Sequence, residues 1–524
     1  MRADRRHTIE DLIRKGLTGL SHPRALGHIG SLIDLSSDLK SSAGTARCFE
    51  LLDEVEKRKL PPGQAAFAHY LRANAWHNKD VERRGENPDV WAWEQPEIQA
   101  QILELRKAVQ HPGFEQVDSP LRCMIFTNLA NQLSFIGRFI EAAEMWDRAL
   151  AEEKTFAMAL GNHGIGLATY AQALYDPGHA KVMRTAAHDL LTAALSKNAK
   201  WDGGGYAHAR AEFSRFTADI EAHLDVAAVR KAFRRNYSIG KSSAERNYRK
   251  WCLANRLFIN PLNDLGPVSI AATDVLTLPT LTTPIEASMP WIIGFFNQMK
   301  QEYVSARFLL YDGLRRNSVH FSDRAVLLYN TLDYPSYSIA VEQQRAAFRM
   351  AYSVLDKIGF FLSDYLAIGL NPRAVSFSRL WFETKGTAKP KPLLDRFKRN
   401  ENWVLRGLFW LSRDLFDDDL QASTEPDAQA LDEIRNRLEH RYLQVHELSL
   451  TDRGRLDGSV GSEHRYSISR DELAIKSLRL LKTTRSALIY LALAVNYEER
   501  IRAKASKGVA MPMFIDTWSD DWKQ

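Results

Sequence analysis

Little in this 524-residue chain points to disulfides, metals or membranes. Only three cysteines occur, Cys48, Cys123 and Cys252. They lie far apart and form no C-x-x-C pair, which excludes a disulfide framework and a thiolate zinc cage and suits a reducing compartment. No H-E-x-x-H sequence or array of paired carboxylates suggests a metal, so neither metal nor cofactor is expected. Long apolar runs are missing as well. The longest, Ala487 to Val495, is roughly half of the ~20 residues that a membrane span needs, and it reads as a buried helix. The stretch from Met1 to His7 leads into an amphipathic segment with no apolar h-region, so no secretory signal is expected and the cytoplasm is the expected location. One-sided charge is absent too: 70 Lys+Arg stand against 64 Asp+Glu, a net +6. Any nucleic-acid footprint must therefore come from local clustering. Hydrophobic residues at 45% and charged residues at 26% are ordinary globular values, so disorder is not expected. The length allows two or three domains with a well-buried core.

What the chain does have is helical periodicity. Between Leu121 and Leu195, Phe126, Leu129, Ala130 and Leu133 fall at helical spacing. Gly137 and Arg138 interrupt the pattern, and Ala142, Trp146 and Ala149 resume it at spacings of four and three. Two antiparallel helices need small residues where their backbones approach, with a large one beside them to fill the groove. Ala130, Ala142 and Trp146 meet that need, and the unit resembles a tetratricopeptide repeat. A second copy begins near Met158, with Leu160, Gly164 and Leu167, then Ala187, Leu191 and Ala194; Asp176 to His179 reads as an insertion between its helices. A looser copy runs from Ala46 to Asn78. One repeat cannot bury its own faces, so an α-solenoid of three or more repeats is predicted over residues 1–225.

Residues 226–290 form a basic segment followed by a connector. Arg230, Lys231, Arg234, Arg235, Lys241, Arg246, Arg249, Lys250 and Arg256 interleave with Phe233, Tyr237, Tyr248 and Trp251. Such a stretch could track a phosphate backbone while its rings stack on bases, and Arg230, Arg234, Arg235, Arg249 and Lys250 are the candidate RNA contacts. The alternative is a solvated helix whose aromatics pack on the solenoid. Ile239 to Ser242 resembles the end of a phosphate-binding P-loop, but Arg235 stands where the earlier glycine is required and no strand precedes it. Pro261, Pro267, Pro279, Pro284 and Pro290 then mark a boundary. Trp91 and Trp93 are expected to pack within the repeats rather than to stack on bases.

Residues 291–524 read as a four-helix domain with additions. Helices are predicted near 291–316, 341–370, 403–416, 426–446 and 470–504, the last capped by Ser469 with Glu472. Ala347, Ala351, Val354, Ile358, Phe361 and Tyr365 form one stripe. Residues 447–451 and 465–469 alternate like strands around a glycine-rich turn, which predicts a short β-hairpin.

Inside the 426–446 helix stand Arg435, Asn436, Arg437, Leu438, Glu439 and His440. Metal-free RNA cleavage must deprotonate a ribose 2′-OH, stabilise a charged phosphorane and protonate the leaving 5′-oxygen. A histidine can move the proton, an arginine offers a planar fork to phosphate, and an asparagine can orient the histidine. Asn436 and His440 lie one helical turn apart. The spacing alone is weak, since Arg441 and His446 repeat it at once. Arginine, a polar residue, then histidine five positions after the arginine resembles the signature of the HEPN superfamily of ribonucleases, helical domains common in bacterial toxin and phage-defence systems. A repeat solenoid joined to such a domain is similar to a bacterial branch of the superfamily, as are the stretches Tyr248–Cys252 and Asn260–Leu265. The resemblance implies a homodimer through the C-terminal domain, whose composite cleft takes single-stranded RNA. Arg435, Asn436 and His440 would then be catalytic, and the repeats would bind a protein or peptide partner. The alternative is a non-catalytic adaptor that uses this domain for dimerisation or RNA binding.

Overall fold

The computed structural model describes the whole chain apart from residues 1, 87–88, 202–205, 234–235, 284–290, 331–333, 372, 374, 384–390, 418–419, 421–430, 432, 436, 439–441, 448–464, 506–512 and 524. The first half is a succession of helices: α1 (Arg2–Arg14), α2 (His22–Leu39), α3 (Ser42–Glu56), α4 (Pro62–Glu86), α5 (Pro96–Gln110), α6 (Ser119–Phe135), α7 (Phe139–Glu152), α8 (Ala157–Ala173) and α9 (Pro177–Leu195). They pack most extensively as neighbours in sequence, α2 on α3, α4 on α5, α6 on α7 and α8 on α9. The chain continues through α10 (Ala207–His223), α11 (Val226–Phe233) and α12 (Ser243–Ala254).

Local chemistry sets these boundaries. Asp118 caps α6 by accepting from the Leu121 amide at 3.2 Å, and Ser242 caps α12 through the Glu245 amide at 3.1 Å. Each satisfies a backbone N–H that the first helical turn leaves without a partner. Asp176 accepts from the His179 amide at 2.8 Å, with Pro177 in the first turn. The segment expected as an insertion is thus the start of α9. Between α6 and α7, Gly137 turns the chain at φ +92°, a conformation that favours glycine. Trp146 fills the groove between hairpins, and a Cβ at Gly166 would come within 2.5 Å of its ring.

The second half comprises α13 (Trp291–Arg315), α14 (Ile339–Tyr365), the short α15 (Asp395–Lys398), α16 (Trp403–Phe416) and α17 (Arg470–Ala505), with strands β1 (Tyr442–His446) and β2 (Arg465–Ser469). Ser469 caps α17 through the Glu472 amide at 3.0 Å, as the sequence predicts, and Ala487 to Val495 are buried within that helix. The strands depart from expectation. They run parallel, Tyr442 opposite Arg465 through His446 opposite Ser469. A tight hairpin joins antiparallel strands only, and residues 448–451 of the first expected strand lie outside the described residues. Residues 442–446 are strand instead of helix end: they pair with β2, and Leu443, Gln444, Val445 and His446 are all buried, as in a strand covered on both faces. Among the described residues, no helix is long and apolar enough to cross a membrane.

The repeats and the C-terminal helices share one continuous core, while α1 to α4 build a second cluster at the N-terminal end. Residues 257–265 pack inside the shared core rather than hanging as a free connector: Leu257, Phe258, Ile259, Asn260, Leu262 and Asn263 are buried. Arg485 of α17 reaches Asp264 at 2.6 Å and the Asn260 carbonyl at 2.8 Å, and Tyr170 of α8 donates to the other Asp264 oxygen at 3.1 Å. Trp93 is fully buried among Trp381, Phe397 and Phe409, and its indole N–H donates to the Asn400 carbonyl at 2.8 Å. Trp91 stays exposed beside Arg406. The turn at Gly137 lies directly against α16, where a Cβ on Gly407 would stand 2.3 Å from the Gly137 carbonyl oxygen.

A buried polar junction forms at Asp414 on α16. Its carboxylate takes two bonds from Arg106 of α5, at 2.9 and 2.8 Å, and another from Arg138 ahead of α7. All three side chains are buried. Burial pushes the Asp414 carboxyl up, but the two guanidiniums outweigh it and hold the group at about 2. An unfolded aspartate ionises near ~3.9, so the stabilisation is complete above pH ~4 and fades as pH falls towards 2.

Two aromatic residues of the basic segment turn inward, while Tyr237 stays exposed. Tyr248 and Trp251 of α12 pack on Tyr311 of α13, with ring centroids 5.1 and 5.3 Å apart, and Arg307 donates to the Tyr248 hydroxyl at 2.9 Å. They brace α12, so the packing alternative describes these two rings better than base stacking does.

Asp414→Ala removes the carboxylate that two buried guanidiniums share, leaving Arg138 its second partner Glu141 at 3.1 Å, and is expected to cost about 3–5 kcal/mol in urea unfolding at pH 7; an unchanged midpoint would show that the junction contributes nothing. Trp251→Ala is expected to cost about 2 kcal/mol, scaled down for partial burial, while exposed Lys250→Ala stays within about 0.5 kcal/mol. Equal effects from the two substitutions would contradict the packing role of Trp251.

Candidate functional site

The motif segment crosses the side of α14. Leu431 and Ile434 are buried, Leu438 packs against the same core, and the backbone at 433–435 and 437–438 is helical. This is the apolar stripe expected of the segment, except that Tyr442 has left the helix to open β1 and is exposed. Arg435 is half-buried, with its guanidinium carbon 5.4 Å from the centre of the Tyr352 ring on α14. Such an arrangement holds a cation against the negative face of the ring and restricts its rotamers. The Tyr352 ring is itself wedged edge-on against Phe416, the last residue of α16, at 6.3 Å. Arg437 pairs one turn back with Glu433 at 3.4 Å. Asn436 and His440 lie outside the described residues, so of the three predicted catalytic residues Arg435 alone has described geometry.

The strand that follows is fixed on both edges. β2 pairs along one, while on the other the Ser336 amide donates to the Val445 carbonyl at 2.6 Å. Arg345 of α14 donates to the Leu443 carbonyl at 2.7 Å, and the hydroxyls of Tyr337 and Tyr442 meet at 2.9 Å. His446 is 5% exposed, and its Nε2 has no partner among the described residues. A histidine sealed this way cannot reach an RNA backbone. That argues against Arg441 and His446 as the working pair, although Arg441 itself lies outside the described residues.

The candidate RNA contacts of the basic segment are dispersed in role. Arg230 is ion-paired with Asp189 of α9. Arg249 is half-buried, paired with Glu245 at 2.9 Å and donating to the Ala272 carbonyl at 3.0 Å. Lys250 is exposed, and Arg234 and Arg235 lie outside the described residues. Arg230 and Arg249 therefore have carboxylates already answering their charge, which weakens them as phosphate ligands.

Sequence reasoning did not single out Tyr352, because a buried tyrosine between core residues of a long helix carries no local mark of what lies across it. Asp356, Lys357 and Asp364, weighed as supporting groups, sit on the same helix; Lys357 pairs with Glu302 of α13 and Asp364 is exposed. The cysteines offer no nucleophile: all three are free and buried. Burial pushes the Cys48 and Cys252 thiols up to about 12 and Cys123 up to about 11, leaving almost no thiolate at neutral pH. Among the described residues, no group of three or more His, Cys, Asp or Glu side chains converges as metal ligands would.

No curated protein and no solved structure matches the chain. Residues 283–498 match the family model described as LA2681-like HEPN. That span takes in α13, α14, α16, the motif segment, both strands and most of α17. The C-terminal part of this chain is a HEPN superfamily domain of the LA2681-like kind.

Proposed function

We propose that the protein is a metal-independent endoribonuclease that acts as a homodimer through its C-terminal domain. HEPN domains are often ribonucleases, and the observation that carries the reading here is the Arg435-to-His440 motif inside the matched span, with the Arg435 guanidinium held on the Tyr352 ring. In the reaction, the ribose 2′-oxygen attacks phosphorus while its proton passes to an imidazole. The bond from phosphorus to the 5′-oxygen breaks, and that oxygen takes a proton, leaving a 2′,3′-cyclic phosphate and a 5′-hydroxyl. His440 moves the proton, Asn436 orients it, and Arg435 neutralises the charge that builds on the phosphorane oxygens. One helix presents these groups over too wide an arc to surround a phosphate, so two copies, each giving one set, form the cleft. The substrate is single-stranded RNA. The repeats bind the protein or peptide that triggers or restrains cleavage, which suits a toxin or phage-defence effector.

Wild-type protein incubated with RNA in EDTA is expected to yield cyclic-phosphate ends. Arg435→Ala and His440→Ala are expected to lower the rate by about 10²–10⁴-fold without changing the helical circular dichroism. Cleavage that vanishes with EDTA, or variants as fast as wild type, would reject this chemistry. RNA that is bound but never cut would favour the adaptor reading.

A further inference from the structure

Helix α14 carries a second arginine at the same edge as the motif. The motif segment touches this helix at two described points: Arg435 lies over the Tyr352 ring, and the Leu443 carbonyl accepts from Arg345. Positions 345 and 352 are two turns apart on one face of α14, roughly 10 Å along the axis. Position 349 lies between them on that face, one turn from each. Arg349 occupies it. Its side chain is exposed, and it makes no hydrogen bond or ion pair with any described residue. Arg345 differs: it is half-buried, bound to the Leu443 carbonyl and paired with Glu342 at 2.5 Å. The two contacts bracket chain positions 435 and 443, the interval in which the remainder of the motif falls.

We infer that Arg349 is a phosphate-binding residue of the RNA site, engaging a backbone phosphate next to the one Arg435 would hold. The inference rests on the ribonuclease reading for the identity of the ligand, and on α14 alone for the placement of the residue. An arginine that has no carboxylate partner among the described residues, is exposed and sits one turn from the ring bearing the motif arginine presents its planar fork to two phosphate oxygens. Arg345, Arg349 and Arg435 together put three guanidiniums at this edge of α14. The resulting positive field draws a polyanion towards the edge of α14. Because Arg349 touches no reacting atom, it is a binding residue, and its loss should act on affinity rather than on the chemical step.

The test uses the full-length protein and a single-stranded 2′-O-methyl RNA, which lacks the attacking hydroxyl and so reports binding whether or not cleavage occurs. Arg349→Ala is expected to weaken binding about 10-fold and to flatten the dependence of log affinity on log salt by about 0.7, one single-strand phosphate contact. Arg349→Lys is expected to keep the salt slope and recover part of the affinity. Thermal unfolding of both variants should match wild type, since the side chain is exposed. Wild-type affinity and salt slope in Arg349→Ala would overturn the assignment, as would a wild-type protein that binds no RNA. Cleavage of unmodified RNA by the wild type judges the ribonuclease reading separately: cleavage with an indifferent Arg349 rejects this inference alone, and binding without cleavage rejects that reading alone.

Discussion

A single carboxylate held between two guanidiniums ties this molecule together. Asp414 lies near the end of α16, and the arginines that clamp it come from two different helix pairs of the repeat half. Removing three charges from water is costly, and the arrangement is tolerable only because each is answered at close range. The interaction thereby selects one relative placement of the two halves: a shift of a few ångströms would leave buried charge unmatched. Around it, the Gly137 turn pressed against Gly407, the nest of rings about Trp93 and the Asp264–Arg485 pair repeat the same demand with different chemistry.

This junction has a functional corollary. Phe416, two residues after Asp414, closes against the Tyr352 ring that carries Arg435. The end of α16 thus faces the repeats with one side chain and the motif support with another. The repeats are thus continuous with that support through packed side chains rather than joined to it by a loose tether. The buried stretch 257–265, which in sequence resembles a linker, belongs to the same construction.

Much of this architecture was legible locally. The start and end of α16, the Ser469 cap of α17 and the buried stripe of α14 follow from patterns within a few residues, and each is found. What was not legible depends on partners distant in the chain. Asp414 and Arg138 are separated by 276 positions, and nothing in either neighbourhood announces the other. The parallel pairing of β1 with β2 was not legible either: residues 442–446 read as the end of a helix, because nothing beside them shows the strand with which they pair. Asp176 and Pro177 resembled an insertion because a proline interrupts a periodic pattern and also starts a helix well. At the motif, the pattern singled out Arg435, but only the fold reveals the ring beneath it and the exposed Arg349 one turn away.

The claim on which the rest stands is that the repeats and the HEPN domain unfold as one body. Amide hydrogen exchange across a urea series measures this directly, helix by helix. The account predicts that α6 to α9 and α16 to α17 lose protection at a common denaturant concentration. Repeats that open fully while α16 and α17 remain protected would contradict it.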